Sequence, residues 1–236
     1  MVNPNDFNNP VIIDVIIPAY NEEKSIPYVI RDIPDFVRHV VVANNNSTDG
    51  TKDAAEQEGA VVVFEPQKGY GKACLTAMAW IEKQKIQPDI VVFLDGDYSD
   101  YPGEMEGLVK PIIENEADMV IGSRAKGQKE AGSMTFPQVF GNWLATTMMR
   151  YIHKANYSDL GPFRAIAWKK LLSLNMEDQN FGWTIEMQIK AHKKGLRYTE
   201  RPVNYRKRIG VSKVSGTVKG VIGAGYKIIW TIFKYW

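Results

Sequence analysis

Five short apolar runs recur through the first half of the chain: residues 11–17, 40–43, 61–64, 89–94 and 118–121. Each is rich in β-branched residues and stops at Pro, Gly or a polar cluster, the pattern of buried strands. The segments between them have helical character. One helix is predicted from about Ser25, turning Tyr28, Val29 and Ile33 inward. Others are predicted over 52–58, with Thr48 or Asp49 as cap, over 72–83, and from Pro102 to about Asn115. Strands alternating with helices mean βαβ units and a mainly parallel α/β sheet.

Beyond Gly122 the alternation becomes irregular. Residues 123–135 read as a loop. Residues 136–153 read as a helix in which Phe140, Trp143, Leu144, Met148 and Tyr151 recur at helical spacing and are expected in the core. A further helix is predicted over 184–194, and a strand interrupted by Pro202 over 197–205. The last stretch is rich first in Gly and then in aromatics. There is no internal repeat, low-complexity tract or linker.

The composition changes this picture little. With 236 residues, 44% apolar and 24% charged, the chain suits one globular domain with an appendage. A single cysteine, Cys74, excludes a disulfide framework and a Cys-based zinc site. His39, His153 and His192 are too scattered for a His cluster. No leader pattern and no apolar span long enough to cross a membrane is seen, so a cytoplasmic setting is expected. The net charge of +2 hides an asymmetry: residues 201–236 hold eight Lys and Arg and no acid, leaving 21 basic and 27 acidic groups before them. Such a tail suits an anionic partner (phosphate, membrane surface or nucleic acid) or a solvated helix face.

Ligands of open α/β sheets bind beyond the carboxyl ends of the strands. Four polar segments fall there: 18–23, 44–51, 69–72 and 95–100. In Asp95-Gly96-Asp97, two carboxylates one residue apart repel each other unless a cation intervenes. A hard divalent ion, Mg²⁺ or Mn²⁺, shared with a substrate phosphate would satisfy them; a strand-ending turn also accounts for them. Gly69-Tyr70-Gly71-Lys72 opens a helix, where backbone N–H groups favour anions. It is not a dinucleotide fingerprint, because Cys74 stands at the third Gly position. It is not a phosphate loop either, because Ala73 follows the lysine. There is no Gly-x-Ser-x-Gly.

The segments Ile16-Ile17-Pro18-Ala19-Tyr20-Asn21-Glu22-Glu23, Asn45-Asn46-Ser47-Thr48-Asp49-Gly50-Thr51, 69–72 and Asp95-Gly96-Asp97 stand in the order found in family 2 glycosyltransferases, which the chain resembles. Gly122-Ser123-Arg124, Asp159–Ala165, Glu186-Met187-Gln188 and 208–216 resemble the dolichyl- or polyprenyl-phosphate mannose and glucose synthases within that family. The resemblance spans about residues 11–220. It implies a GT-A fold with a nucleotide-sugar half over 11–122, an acceptor half over 123–213 and a basic aromatic helix over 214–236. It implies that Pro18, Tyr20 and Glu22 cradle the nucleoside, that Asn44 faces the base, and that Lys72 lies near the nucleotide. Asp95 lies by the ribose and metal, and Asp97 holds the metal. Arg124 and Arg164 line the sugar and acceptor-phosphate region. Arg206, Arg208, Ser212 and Lys213 come from a loop closing over phosphates.

Two positions depart from the family pattern. Asn44 replaces a common Asp; an amide both donates and accepts, which suits uracil and favours a UDP-sugar over GDP-mannose. Ser99 stands where the mannose synthases often have Gln, which leaves the metal's outer ligands open. A lipid-phosphate acceptor is already ionised and needs arginines more than a base. A sugar hydroxyl needs a base, for which Asp159 and Glu186 are the candidates; otherwise Asp159 pairs with Arg164, and Glu186 caps its helix or faces solvent. The basic aromatic tail suits an interfacial helix on a membrane, a helix docked on the body, or a homodimer interface. A non-catalytic nucleotide-sugar-binding protein is the alternative of another class. The acidic body argues against nucleic acid.

Overall fold

The β-branched run near the N-terminus forms an interior strand, third from one edge, of a seven-stranded sheet. The structure is a computed structural model describing residues 10–210 and 218–236. The strands are β1 (Ile13–Ala19), β2 (Val37–Asn44), β3 (Val61–Phe64), β4 (Ile90–Phe93), β5 (Met119–Ser123), β6 (Arg164–Ala167) and β7 (Tyr198–Pro202), in the order β3-β2-β1-β4-β6-β5-β7. The helices are α1 (Ile26–Arg31), α2 (Thr51–Gln57), α3 (Tyr70–Glu82), α4 (Met105–Ile113), α5 (Phe136–His153), α6 (Trp168–Ser173), α7 (Trp183–Lys193) and α8 (Val218–Lys234). The α/β architecture with a mainly parallel sheet is as expected.

Alternate residues of each strand feed opposite faces of the sheet. Ile16, Val41, Val91 and Ile121 pack with Ala73, Ala77, Met149 and Ile189 on one side. Val15, Ile17, Val42, Val92 and Val120 pack with Ile26, Val29, Leu108 and Val109 on the other. Asp14 interrupts the apolar run of β1 but is fully buried, because Arg38 donates to both its oxygens at 3.0 and 2.6 Å.

β6, with α6 behind it, is absent from the pattern reading. It is four residues long, Arg-Ala-Ile-Ala, and only Ile166 is β-branched, so nothing in it marks a strand. It runs antiparallel to both β4 and β5, pairing Arg164 with Phe93 and with Ile121. That reversal puts the start of β6 at the edge where its parallel neighbours end. β7 runs parallel to β5 and delivers residues 203–210 to that edge as well.

The aromatic stripe of α5 departs from the expected core. Phe140, Trp143 and Tyr151 are 48%, 58% and 80% exposed, while Leu144 and Met148 are half-buried. The helix buries Ala145, Thr146, Met149 and His153 instead. Periodicity defines a stripe but not the side on which the body lies. α8 packs on α5 and α7. It is held by Lys227 on Asp178 (2.8 Å), Lys234 on Glu177 (3.1 Å) and a 2.8 Å contact between His153 Nε2 and the Ile232 carbonyl. No helix among the described residues is long and apolar enough to cross a membrane.

Candidate active site

The polar segments converge at one edge of the sheet. β1 ends at Ala19 in register with Asn44, the last residue of β2. Asn45 ties the next loop down: its Nδ2 donates to the Gln67 carbonyl (2.7 Å), and its Oδ1 accepts from Gly69 N–H (2.8 Å). Asn44 is buried, and its Oδ1 accepts from Ser47 N–H at 3.0 Å, so Nδ2 is the group turned to other partners. Tyr20 receives Lys68 Nζ at its hydroxyl (2.8 Å). Glu22 is braced by Ser25 Oγ at 2.9 Å and donates its N–H to Thr51 Oγ1 at 2.8 Å. Pro18 precedes Ala19 at the mouth of β1 and is half-buried. Asp49, expected as a helix cap, accepts from Thr51 N–H at 3.1 Å, but Gly50 holds the N-cap position of α2.

The start of α3 differs from the expected anion site. Lys72 N–H donates to the Gln179 carbonyl at 3.0 Å, and a Cβ on Gly71 would run into the Asp178 carbonyl. The helix opening is therefore filled by the chain between α6 and α7. Only the half-buried Lys72 side chain is available as a cation.

Asp95, Asp97 and Asp100 follow β4. Asp97 Oδ1 accepts from Ser99 N–H (2.9 Å) and Ser99 Oγ (2.5 Å), while Oδ2 meets Arg208 Nη1 at 2.8 Å. Asp95 Oδ1 accepts from Tyr70 O–H at 3.2 Å. Burial first, and then the Asp97 charge, push the Asp95 carboxyl well above its ordinary range. Asp100 was given no role on sequence grounds, although it lies in the same polar stretch. It is buried, neither of its oxygens has a hydrogen-bond partner, and burial beside Asp95 pushes its carboxyl strongly upward.

This donor set fits a divalent cation. Two carboxylates are crowded together at a cost that a positive charge between them removes. Among the described residues no group of three or more His, Cys, Asp or Glu converges as a complete ligand set. The remaining ligands would have to come from a substrate diphosphate and water, the usual arrangement for Mg²⁺.

Arg124 and Asp159 form the second cluster. Asp159 accepts from Arg124 N–H (2.6 Å), Nε (3.0 Å) and Nη2 (2.6 Å) and from Ala125 N–H (3.3 Å). Burial pulls its carboxyl upward, but the Arg124 charge and these bonds outweigh it and hold it below the ordinary range. The partner of Asp159 is thus Arg124, not Arg164. Arg164 is fully buried and donates to the carbonyls of Gly161, Leu160 (3.1 Å) and Thr184 (3.1 Å). Burial lowers its pKa to about 10. Glu186 neither caps its helix nor faces solvent. It is fully buried, accepting from the N–H groups of Glu177 (2.9 Å) and Asp178 (2.7 Å) and from Tyr235 O–H (2.7 Å).

Arg206 and Arg208 arrive from the chain after β7. Arg206 lies over the Tyr98 ring at 3.3 Å and donates to the carbonyls of Tyr98 (2.7 Å) and Asp100 (3.1 Å). Ile209 N–H donates to the Asp97 carbonyl at 2.9 Å. Ser212 and Lys213 lie outside the described residues.

The profile of the family described as Glycosyl transferase family 2 matches residues 14–173. The chain belongs to glycosyltransferase family 2. The enzyme is 34% identical over 213 residues to an uncharacterized glycosyltransferase of Mycobacterium tuberculosis, covering 89% of this chain and 93% of that one. It is 29% identical over 219 residues to the undecaprenyl-phosphate mannosyltransferase of Micrococcus luteus, covering 87% and 88%. In fold it is similar to glucosyl-3-phosphoglycerate synthase from Mycobacterium tuberculosis, crystallised with Mn²⁺, UDP and glucosyl-3-phosphoglycerate. That likeness has a TM-score of 0.77 at 24% identity over 95% of this chain and 80% of that one. The GT-A fold is therefore this enzyme's fold.

Proposed function

We propose that the enzyme transfers a hexose, with inversion, from a UDP-sugar to the phosphate of a polyprenyl-type lipid. The observation that carries this reading is the state of the two candidate bases. Both oxygens of Asp159 and of Glu186 are taken by donors. The third acid near the cleft, Asp100, is buried with no hydrogen-bond partner on either oxygen, and burial disfavours its charged form. A hydroxyl acceptor needs a base within hydrogen-bond reach. A phosphate monoester arrives ionised and needs only cations to position it. Support also comes from the undecaprenyl-phosphate mannosyltransferase relative. For the donor it comes from the fold neighbour's complexes with UDP-glucose and Mn²⁺.

In this reading Asn44 Nδ2 donates to a uracil carbonyl, Tyr20 and Glu22 flank the nucleoside, and Lys72 faces the nucleotide phosphates. A divalent cation held by Asp95 and Asp97 would neutralise the charge that develops on the leaving diphosphate. Arg208 moves from Asp97 onto the diphosphate as the donor enters. Arg124, fixed by Asp159, presents a cation on the acceptor side of the cleft. Arg164 acts as a buried brace that sets the 160–164 turn. The neighbour's complex with phosphoglyceric acid favours a second reading, a small phosphorylated acceptor.

The test is nucleoside diphosphate release by purified enzyme with Mn²⁺ or Mg²⁺, a panel of UDP- and GDP-sugars, and either a short polyprenyl phosphate or phosphoglycerate. Release that requires the lipid phosphate and the metal is expected. Release with phosphoglycerate but not with the lipid phosphate would end the proposal in favour of the second reading.

A further inference from the structure

Two helices at one end of the molecule turn apolar stripes to solvent. On α5, Phe136, Phe140, Trp143 and Tyr151 recur at i, i+4, i+7 and i+15, and all are exposed. The first three rings form a ladder with centroid spacings of 6.2 and 5.7 Å. On α8, Ile222, Tyr226, Ile229, Trp230 and Phe233 are likewise exposed along one stripe. The helices run parallel. A groove of about 240 Å³ between them is walled by Pro137 and Gly141 of α5 and by Val221 and Gly225 of α8, while the His153–Ile232 contact joins their C-terminal ends. Exposed apolar surface gathered this densely marks an interaction site.

The surface also has a consistent charge. Neither helix contains Asp or Glu. Arg150 on α5 and Lys154 just after it are exposed. Lys227 lies 4.5 Å from the Trp230 ring while reaching Asp178. Lys227 and Lys234 are paired with Asp178 and Glu177 beneath α8, which leaves Arg150 and Lys154 as cations beside the stripe with no ion-pair partner among the described residues. Aromatic rings flanked by such cations match the polar–apolar boundary of an anionic bilayer.

The clefts beside α5 favour that occupant over a second copy of the chain. The groove on one flank includes Arg124 in its wall. A second cleft of about 330 Å³ on the other flank is walled by Val139, Trp143, Arg150 and Asp159. Both thus reach the Arg124–Asp159 pair. A bilayer against α5 and α8 leaves a lipid head group within reach of these clefts, whereas a rigid protein copy would cap them.

We infer that α5 and α8 together form a docking face for an anionic lipid bilayer. The inference rests on the lipid-phosphate reading for its purpose, but its test does not need the acceptor. Full-length enzyme is sedimented with phosphatidylcholine vesicles with and without phosphatidylglycerol, none containing polyprenyl phosphate. Binding that phosphatidylglycerol strengthens is expected. The Phe136→Ser/Phe140→Ser variant should lower the partition coefficient at least about tenfold, given the apolar area those rings can bury. A Phe64→Ser/Ile86→Ser variant, which removes exposed apolar side chains elsewhere, should not change it. Circular dichroism and UDP binding should be unaltered in both. The inference is overturned by absence of vesicle binding, by binding indifferent to Phe136 and Phe140, or by an equal loss in the Phe64/Ile86 variant. It is also overturned by a dimer in light scattering that the α5 variant dissociates while vesicles are not bound. Vesicle binding with no transfer to a short polyprenyl phosphate would count against the acceptor reading alone.

Discussion

Arg208 Nη1 lies 2.8 Å from Asp97 Oδ2, so the carboxylate best placed to hold a metal is ion-paired to a side chain of the chain after β7. The guanidinium stands where a divalent cation would be attracted. The two cations compete for one oxygen until a diphosphate offers Arg208 another partner. Arg208→Gln should therefore bind Mn²⁺ more tightly than wild type in the absence of nucleotide, by severalfold, and should lose about 10²-fold in transfer. Electron paramagnetic resonance titration of free Mn²⁺ reads the first effect. Weaker Mn²⁺ binding by the variant would show that Arg208 supports the site rather than holding its place. Asp97→Asn, which keeps the acceptor for Ser99, should abolish metal-dependent transfer while the fold persists.

The Arg124–Asp159 pair predicts a stability effect with a definite pH dependence. Removing one partner of a buried pair leaves the other charge uncompensated, so Asp159→Asn should cost about 3–5 kcal/mol. The native carboxyl lies below its ordinary value of about 3.9. An acid whose folded pKa is depressed contributes stability that is present above the unfolded pKa and lost as pH falls toward the folded one. The gap between wild type and Asp159→Asn in urea unfolding should thus be constant from neutral pH to about pH 5 and shrink below about pH 4. If Asp159 were the general base, the variant would instead keep its stability and lose the acidic limb of the kcat profile.

Gly71 is needed for packing. Its missing Cβ makes room for the Asp178 carbonyl, and the adjacent Lys72 N–H bonds Gln179. Gly71→Ala forces α3 away from the chain before α7 and should cost about 1–3 kcal/mol. The shift should be visible as faster amide exchange at Lys72. Unchanged exchange there would mean that the 177–182 segment moves instead and α3 does not.

The strands were readable wherever a buried β-branched run declared them, which is why β1 to β5 and the edge carrying Asp95, Asp97 and Asn44 were legible. β6 was not, because a strand of Arg-Ala-Ile-Ala makes no pattern; its place follows from pairing with β4 and β5, a tertiary matter. The motif residues could be named from their order, but their partners could not. Asp159 finds Arg124, 35 positions away, and Glu186 finds Tyr235, 49 positions away, through packing of distant elements. Asp100 carried a signal, a third acid within the polar stretch after β4, but only burial distinguishes it from a solvated turn residue. The α5 aromatics show the converse limit: the period was right, and the face it implied was not the buried one.

Asn44 offers a direct test of donor choice. Its Oδ1 is already committed to Ser47 N–H, which orients the amide and leaves Nδ2 to donate. A donor there complements the O4 carbonyl of uracil. A carboxylate only accepts, and guanine presents N–H groups at its corresponding edge. Asn44→Asp keeps the size and the Ser47 bond but exchanges the donor for an acceptor. The ratio of kcat/KM for UDP-hexose over GDP-hexose should fall at least about tenfold, because a mismatched buried polar pair is penalised from both sides. Competition assays with UDP and GDP as inhibitors would report the same change without requiring turnover. A ratio that does not move would detach Asn44 from the base and leave the preference to the neighbouring 65–68 segment.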